Sequence, residues 1–377
     1  MKGLYIIAAV TMAGVSSIFA LLAEIETTYG IAQGNLGWIA GSAFVGALIT
    51  QLWLARYADR GYATLLLRIG VLASAFGLLW FGFADELWQF IAARTLLGAG
   101  VGMIIPPSRR FIIIASGEQQ GARLGAFYGF YLCGFVFGPP ISGALTVLFD
   151  VRAPFFVLGI ATALSALAIK GLVIPSSDNS DTKKKRVLIK LIYKREMIAA
   201  LLVVASFRYS IGVFEPLWAP HLSNLGAGTM LITLSLTGFA LPMLIISKWA
   251  GALSDRFGPR ITSLLSAFAT VPLMASYGYI GSIPLLMIAA MPHGIFEAAQ
   301  SPGSQAAVSD AAGTDDAAAA QGLGEAVGSV FSLVGALSAA PIYVHLGAGL
   351  AWFSSALIML GLLIASWLIH PPVVRRH

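Results

Sequence analysis

The sequence predicts an all-α membrane protein whose twelve transmembrane helices form two pseudo-symmetric six-helix bundles. Hydrophobic residues make up 58% of its 377 residues and charged residues only 11%, whereas about 25% of residues are charged in soluble domains. Of the 23 Lys and Arg residues, all except Arg94, Arg152 and Arg208 fall in polar gaps, or at the ends of the spans beside them, that this arrangement places on one side. Because basic loops stay in the cytoplasm, both termini are predicted to be cytoplasmic.

The individual spans follow from length and hydropathy, since a transmembrane helix requires about 20 apolar residues. The first apolar run is interpreted as a span rather than a signal peptide, because it exceeds the roughly 7 to 15 residues of a signal-peptide core. Spans 1 to 12 are predicted at residues 4–24, 35–56, 65–84, 87–108, 122–148, 152–174, 197–219, 228–250, 262–281, 283–308, 318–340 and 346–369.

A polar and basic segment at residues 175–196 divides the spans into two sets of six. It contains the run Lys183, Lys184, Lys185 and Arg186, and each basic residue near an anionic membrane surface gains about 1 kcal/mol. The predicted domains are therefore an N-terminal bundle at 1–174, a cytoplasmic linker at 175–196 and a C-terminal bundle at 197–377. Anionic lipid at the cytoplasmic loops accounts for the net charge of +6, so no nucleic-acid partner is needed.

The cysteine and histidine content indicates neither a disulfide framework nor a metal site. Cys133 is the single cysteine, and the five histidines lack ligand spacing. The sequence also has no Gly-x-x-x-x-Gly-Lys-Ser/Thr run, so no nucleotide cofactor is expected. We expect a protein that works without a cofactor or metal, and as a monomer.

Two similar segments follow the second and eighth spans, about half the chain apart. The first contains Asp59 and Arg60. Residues 251–260 resemble the loop signature of the major facilitator superfamily, Gly-x-x-x-Asp-Arg-x-Gly-x-Arg, and match it at Gly251, Asp255, Arg256, Gly258 and Arg260. The resemblance implies parallel six-helix repeats and a gating role for both segments. The first copy departs from the signature, because Ala55 replaces its first glycine.

Span 4 carries a second resemblance. Residues 94–102 are similar to the superfamily's fourth-helix motif, whose arginine is associated with proton transfer. An arginine at mid-membrane costs at least about 2.5 kcal/mol on insertion scales, so Arg94 should face a cavity or a carboxylate. The alternative is an arginine that bonds backbone carbonyls and serves packing alone.

Span 5 is similar to the antiporter motif of superfamily members that export drugs in exchange for protons. The matching positions are Gly125, Gly134, Gly138, Pro139 and Gly143. Glycines four residues apart open one helix face for close packing, and Pro139 with its neighbour bends the helix. A tight, bent helix suits a seal between bundles, whereas ordinary small-residue packing is the alternative.

Ionisable residues within the apolar stretches concentrate on spans 1, 4, 7 and 10, which line the central cavity of this fold as the resemblance implies. Charges in lipid are costly and usually mark transport pathways. The candidates for proton coupling are Glu24 and Glu26 at the end of span 1, Arg94 in span 4, Arg208 and Glu215 in span 7, and His293 and Glu297 in span 10.

Two of the carboxylates are the preferred proton carriers. Glu215, the first choice, precedes Pro216, whose missing N–H frees a carbonyl and bends span 7. Glu297, the second choice, lies four residues after His293, so the two share a helix face and could share a proton. A structural ion pair between Arg208 and Glu215 is the competing interpretation, and Glu24 and Glu26 could be loop anchors near the outer mouth.

The cavity lining indicates the substrate only coarsely. Tyr131, Tyr209, Phe214, Trp218 and Phe296 are candidates for an aromatic, apolar substrate cavity, with simple packing as the alternative. We expect a transporter in a bacterial plasma (inner) membrane that exports a small, lipophilic molecule in exchange for protons. A proton-coupled importer of a small nutrient is the alternative. A membrane enzyme is not expected, because the sequence shows no nucleophile or metal constellation. A membrane receptor that keeps the fold but does not transport is a further alternative.

Overall fold

The computed structural model describes residues 1–54, 57, 61–116, 119–174, 190–313 and 316–371. Within these ranges, the regular elements are helices. Contacts divide the chain into two compact units: unit 1 comprises Met1–Asn179 with Leu222–Thr237, and unit 2 comprises Ser180–His221 with Gly238–His377. The sequence-based division at residues 1–174, 175–196 and 197–377 remains a prediction, since most of the linker lies outside the described residues.

Unit 1 contains spans 1 to 6. Span 1 breaks at Leu21, and the predicted sixth span ends earlier than expected because its last turn tightens into a 3₁₀ helix, Ala166–Ile169. Span 4 continues past Pro106 and Pro107, as membrane helices tolerate proline. The helices are Lys2–Ala20 followed by Leu22–Tyr29, Leu36–Ile49 continued by the π-helical turn Thr50–Leu54, Ala63–Phe83, Leu87–Ser116, Gln120–Leu148 and Ala153–Ser165.

Spans 7 to 12 form the second half of the chain. They are Arg195–Asn224, Thr229–Phe257, Pro259–Ser276, Ile283–Ala312 and Ala317–Ile369. The last of these is two spans joined across Gly347, whose positive φ of 84° breaks the helix. A 3₁₀ turn, Tyr277–Tyr279, extends span 9. The end of span 7 and the start of span 8, Leu222–Thr237, belong to unit 1.

Length and hydropathy confirm the membrane assignment. Nine helical segments of the described chain are long and apolar enough to cross a membrane, and one of them, Ala319–Ile369, contains both span 11 and span 12. The shorter apolar helix Ala153–Ile169 and the less apolar span 10 complete the predicted set. The all-α, twelve-span architecture is therefore confirmed, with span ends that differ from prediction by several residues.

Packing within each unit positions the ionisable residues. In unit 1, span 4 packs against spans 2 and 3, and span 1 packs against spans 5 and 6. In unit 2, span 9 packs against span 10, and small buried residues such as Ala200, Ala307 and Ala320 join spans 7, 10 and 11. These arrangements bury Arg94 in unit 1 and His293 in unit 2.

Candidate functional site

Span 10 brings two predicted residues together in unit 2. His293 Nε2 lies 3.4 Å from Glu297 Oε1, as expected for positions four apart on one helix. The two residues are only 1% and 6% exposed. The Nε2 atom is buried and makes no hydrogen bond within the described residues, so the contact with Glu297 is a close approach of two ionisable groups, and a buried charge on either is costly unless it is paired.

Tyr277 completes the surroundings of His293. Its hydroxyl lies 2.8 Å from His293 Nδ1, and its ring stacks on the imidazole with centroids 5.8 Å apart. Tyr277 is fully buried in the 3₁₀ turn that follows span 9. Sequence reasoning missed this residue, since no local pattern relates the end of one span to the middle of the next.

His221, also missed by the sequence analysis, extends the network. Its Nε2 lies 3.2 Å from the backbone carbonyl oxygen of Tyr277, and its Nδ1 lies 2.9 Å from the Tyr343 hydroxyl. Because a carbonyl only accepts, Nε2 of His221 must carry a hydrogen. Tyr343, His221, Tyr277, His293 and Glu297 thus form one buried polar network, here called the histidine–tyrosine chain.

Aromatic side chains enclose this chain. Phe214 stacks on Trp218 and on Phe239, with centroids 4.6 and 5.1 Å apart, and it meets the His293 ring edge-on. Trp352 packs edge-on against Tyr277. The apolar shell keeps water away and strengthens electrostatic interactions inside it.

The remaining cavity candidates lie in different surroundings. Tyr209 is buried in span 7 and Phe296 is half-buried in span 10. Tyr131 packs in unit 1 against an apolar cluster that includes Phe127, and its ring is 6.4 Å from that of Tyr128. A role of these residues in binding substrate stays a prediction.

Span 7 carries the other pair of ionisable candidates. Glu215 is buried directly before Pro216. Arg208 is half-buried, its backbone carbonyl accepts a 2.7 Å hydrogen bond from Ser332 Oγ, and its side chain lies against Gly328. Span 11 therefore supports the backbone of span 7 beside Arg208.

Arg94 joins span 4 to span 1 in unit 1. The side chain is 1% exposed, and its Nη1 donates a 3.2 Å hydrogen bond to the backbone carbonyl of Val15. This contact is one that the packing alternative requires, and it places the guanidinium beside the middle of span 1. The role in proton transfer stays a prediction.

The glycines of span 5 pack mainly against span 1. A methyl group at Gly134 would overlap the backbone of Ala9, and one at Gly138 would overlap that of Ala13. Gly125, by contrast, faces open space. Two of the predicted glycines therefore permit close backbone approach, as the spacing indicated, and Gly125 does not.

A row of threonines on span 8 meets the same region within unit 1. Thr237 Oγ1 donates a 2.9 Å hydrogen bond to the carbonyl of Val136, and Thr233 lies against Gly143. Pro140 has no N–H to bond the carbonyl four residues earlier, which is that of Val136. The proline thus exposes a carbonyl in span 5, and Thr237 satisfies it.

The two glutamates after span 1 have polar partners. Glu24 Oε1 accepts a hydrogen bond from Thr229 Oγ1, the first threonine of the span 8 row. Glu26 Oε2 accepts a long hydrogen bond of 3.5 Å from Gln33 Nε2. Partial burial raises the pKa of Glu26, and the hydrogen bond from Gln33 lowers it to a smaller extent.

Comparison with known proteins identifies the family. The sequence model described as Major Facilitator Superfamily matches residues 4–233 and 200–377. The chain belongs to the major facilitator superfamily. It is therefore a multi-pass membrane transporter of a small molecule and not an enzyme.

Individual proteins similar to this major facilitator are also named as transporters. It is 25% identical to the multidrug resistance protein MdtG of Proteus mirabilis, across 95% of this chain and 92% of that protein. It is 21% identical to the multi-drug resistance efflux pump PmrA homolog of Lactococcus lactis, across 71% and 70%. A bacterial homolog of the human lysosomal transporter Spinster shares the fold, with a TM-score of 0.80 at 15% identity and coverage of 98% and 95%.

Part of the loop signature of this major facilitator lies within the described residues. Gly258 has a φ of 95° and forms the turn between spans 8 and 9, while Gly251 lies within the span 8 helix. Arg256 is exposed over the Phe257 ring. Arg260 Nη2 donates to the carbonyls of Ser366, at 3.1 Å, and His370 at the end of span 12. The Asp255 side chain, Asp59 and Arg60 lie outside the described residues.

Proposed function

We propose that this transporter exports a small, lipophilic molecule across a bacterial inner membrane in exchange for protons, by alternating access. The observation that carries the proposal is the buried pair of His293 and Glu297, 3.4 Å apart inside the aromatic shell. Ionisable groups inside a membrane are costly and mark ion pathways. An imidazole beside a carboxylate is a pair of groups that can each bind and release a proton.

The residues have different proposed roles. Glu215 was the first choice from the sequence and Glu297 the second; we propose the reverse order, with Glu297 and His293 as the primary proton-carrying pair because they lie 3.4 Å apart, and with Glu215 as the second carrier. Arg94 in unit 1 and Arg208 in unit 2 are each proposed to take part in proton coupling through their positive charge. Tyr209, Phe214, Trp218, Phe296 and Tyr131 are the proposed apolar contacts for substrate.

Two observations support export rather than import. Gly134 and Gly138 of span 5 pack tightly on span 1, and Thr237 of span 8 bonds the Val136 carbonyl that Pro140 leaves without a donor, as expected of a sealing helix. Relatives of this chain are named as a multidrug resistance protein and a multidrug efflux pump. The hydrogen bond between Glu24 and Thr229 would hold the end of span 1 to the start of span 8 and so add to this seal.

The test measures proton movement in inside-out membrane vesicles with an acidified lumen. Toxic lipophilic compounds that cells expressing the chain tolerate serve as candidate substrates. Exchange predicts that adding substrate raises the lumenal pH, and that Glu297→Gln abolishes this response while substrate binding persists. Acidification of the lumen on substrate addition would instead indicate proton-coupled import. An unchanged response in Glu297→Gln, Glu215→Gln and Arg94→Ala would refute the assignment of the proton-carrying groups.

Anionic lipid is the proposed partner of the cytoplasmic face of unit 1. A cavity of about 240 Å³ is lined by Arg68, Lys170 and the apolar residues Leu72, Ala166 and Leu167. The two cationic side chains suit the phosphate of a lipid headgroup, and the apolar lining residues suit its acyl chains. Native mass spectrometry should show less retained phosphatidylglycerol after Arg68→Gln with Lys170→Gln than after the control pair Lys190→Gln with Arg195→Gln. The mass of the lipid-bound species should correspond to a monomer.

A further inference from the structure

We propose that Tyr277 is the positioning residue of the His293–Glu297 pair, because its hydroxyl selects the ring nitrogen of His293 that carries the proton. The inference rests on the proposed function and adds a component that transport motifs do not indicate. Its basis is the histidine–tyrosine chain, in which both histidines contact a tyrosine hydroxyl through Nδ1.

The orientation of the chain is set at His221. The Tyr277 carbonyl can only accept, so the hydrogen of neutral His221 lies on Nε2 and its Nδ1 accepts from the Tyr343 hydroxyl. This bond also anchors the backbone of Tyr277 in its 3₁₀ turn. Tyr277 is therefore held at its carbonyl by one histidine while its hydroxyl serves the other.

At His293 the two ring nitrogens face different groups. When Glu297 is deprotonated, the ring hydrogen belongs on Nε2, which faces the carboxylate at 3.4 Å. The Nδ1 lone pair then accepts from the Tyr277 hydroxyl at 2.8 Å. Tyr277 thus stabilises the tautomer whose N–H is on Nε2, the ring nitrogen nearest to Glu297.

Uptake of one proton by His293 reverses the direction of its hydrogen bond with the Tyr277 hydroxyl. The added proton binds Nδ1 of His293, forming one N–H bond and an imidazolium beside the Glu297 carboxylate. The Tyr277 oxygen changes from donor to acceptor, and no other bond is made or broken. Release of the same proton restores the first arrangement. Of the titratable side chains, His221 hydrogen-bonds the Tyr277 carbonyl and Glu297 lies 3.4 Å from His293.

Nitrogen NMR of the full-length protein labelled with ¹⁵N-histidine tests the tautomer directly. His293 is assigned by comparison with the His293→Gln variant. At the pH where Glu297 is deprotonated, wild type should show a protonated Nε2 and an unprotonated Nδ1 for His293, and acidification should protonate Nδ1. The Tyr277→Phe variant should show a mixture of both neutral tautomers. A protonated Nδ1 at the starting pH, or acidification that leaves Nδ1 unprotonated, would overturn the proposal.

Transport provides a second readout with a matched control. Tyr277→Phe should slow substrate-driven proton exchange about tenfold, as expected for the loss of one buried hydrogen bond, with substrate binding unchanged. Tyr279, two residues away, is 66% exposed. The Tyr279→Phe variant also loses a tyrosine hydroxyl, and its exchange rate and His293 spectrum should equal those of wild type.

The outcomes separate this inference from the proposed function. If wild type exchanges protons, Glu297→Gln does not, and Tyr277→Phe behaves like Tyr279→Phe, the positioning role is wrong and the proposed function stands. If wild type moves substrate without protons, the proposed function is wrong, and the tautomer spectra still decide whether Tyr277 orients His293. Thermal unfolding of each variant establishes that it is folded.

Discussion

Glu26 is a half-buried carboxylate in the short helix after span 1, and burial raises its pKa. A carboxyl group with a raised folded pKa contributes stability that is complete below its unfolded pKa of about 4.3 and is lost as the pH rises through the folded value. We therefore expect Glu26→Gln to raise the thermal unfolding midpoint at pH 7, with the difference disappearing below about pH 4. The control is Glu86→Gln at an exposed position. A lower midpoint for Glu26→Gln at pH 7 would contradict this argument.

Arg260 connects the start of span 9 to the last turn of span 12. Its guanidinium donates to the carbonyls of Ser366 and His370. The Ser366 carbonyl also accepts the backbone N–H of His370, and the His370 carbonyl lies just beyond the helix end, where intrahelical donors run out. Arg260→Met keeps the stem and removes both bonds, so we expect a loss of about 2 kcal/mol in unfolding free energy. Hydrogen exchange should also accelerate at the end of span 12. Arg256→Met, at an exposed position, should change little, and equal effects would argue against a role for these bonds.

At the level of helices, span 5 depends on small residues at defined turns. Gly134→Ala and Gly138→Ala each place a methyl group against the backbone of span 1, and such overpacking costs about 1 to 3 kcal/mol. Gly125→Ala is the matched control, because open space surrounds that position and alanine favours a helix by about 1 kcal/mol over glycine. Thermal unfolding should rank Gly125→Ala at or above wild type and the other two below it. The reverse order would refute the packing.

The hydrogen bond from Thr237 to the Val136 carbonyl should contribute to stability only while Pro140 leaves that carbonyl without a donor in its own helix. Thr237→Val preserves shape and removes the donor, so we expect a loss of about 1 kcal/mol, typical of hydrogen bonds between membrane helices. Pro140→Ala restores an N–H that can bond the same carbonyl within span 5. In that background Thr237→Val should cost almost nothing, and a double-mutant cycle measures the difference. Additive effects would show that the two features are independent.

For the whole molecule, the charge distribution predicts which side each loop occupies. Cys133 is the single cysteine, so a Cys133→Ser background allows one new cysteine at a time. A membrane-impermeant thiol reagent should label Lys2→Cys only in inside-out vesicles, and Thr28→Cys only in right-side-out vesicles. Labelling of Lys2→Cys from outside the cell would reverse the predicted orientation.

Local sequence patterns predicted some of the contacts in the candidate site and not others. The spacing of four residues was sufficient to place His293 beside Glu297, because both lie on one helix. It could not indicate Tyr277, which approaches from a neighbouring span, or His221, which bonds a backbone carbonyl rather than a side chain. In span 5 the Gly134 and Gly138 positions lie against the backbone of span 1, as the motif indicated, whereas a Cβ at Gly125 would meet nothing within 4 Å.

Hydropathy, basic gaps and short motifs were sufficient for the all-helical, twelve-span fold and the superfamily, since each depends on neighbouring positions in the chain. The packing of helix faces decided that Tyr277 meets His293, that Thr237 meets the carbonyl left by Pro140, and that Arg260 reaches the end of span 12. Those contacts join distant positions, and many pairings of apolar faces satisfy the same hydropathy. Shape and hydrogen bonding in three dimensions select among them.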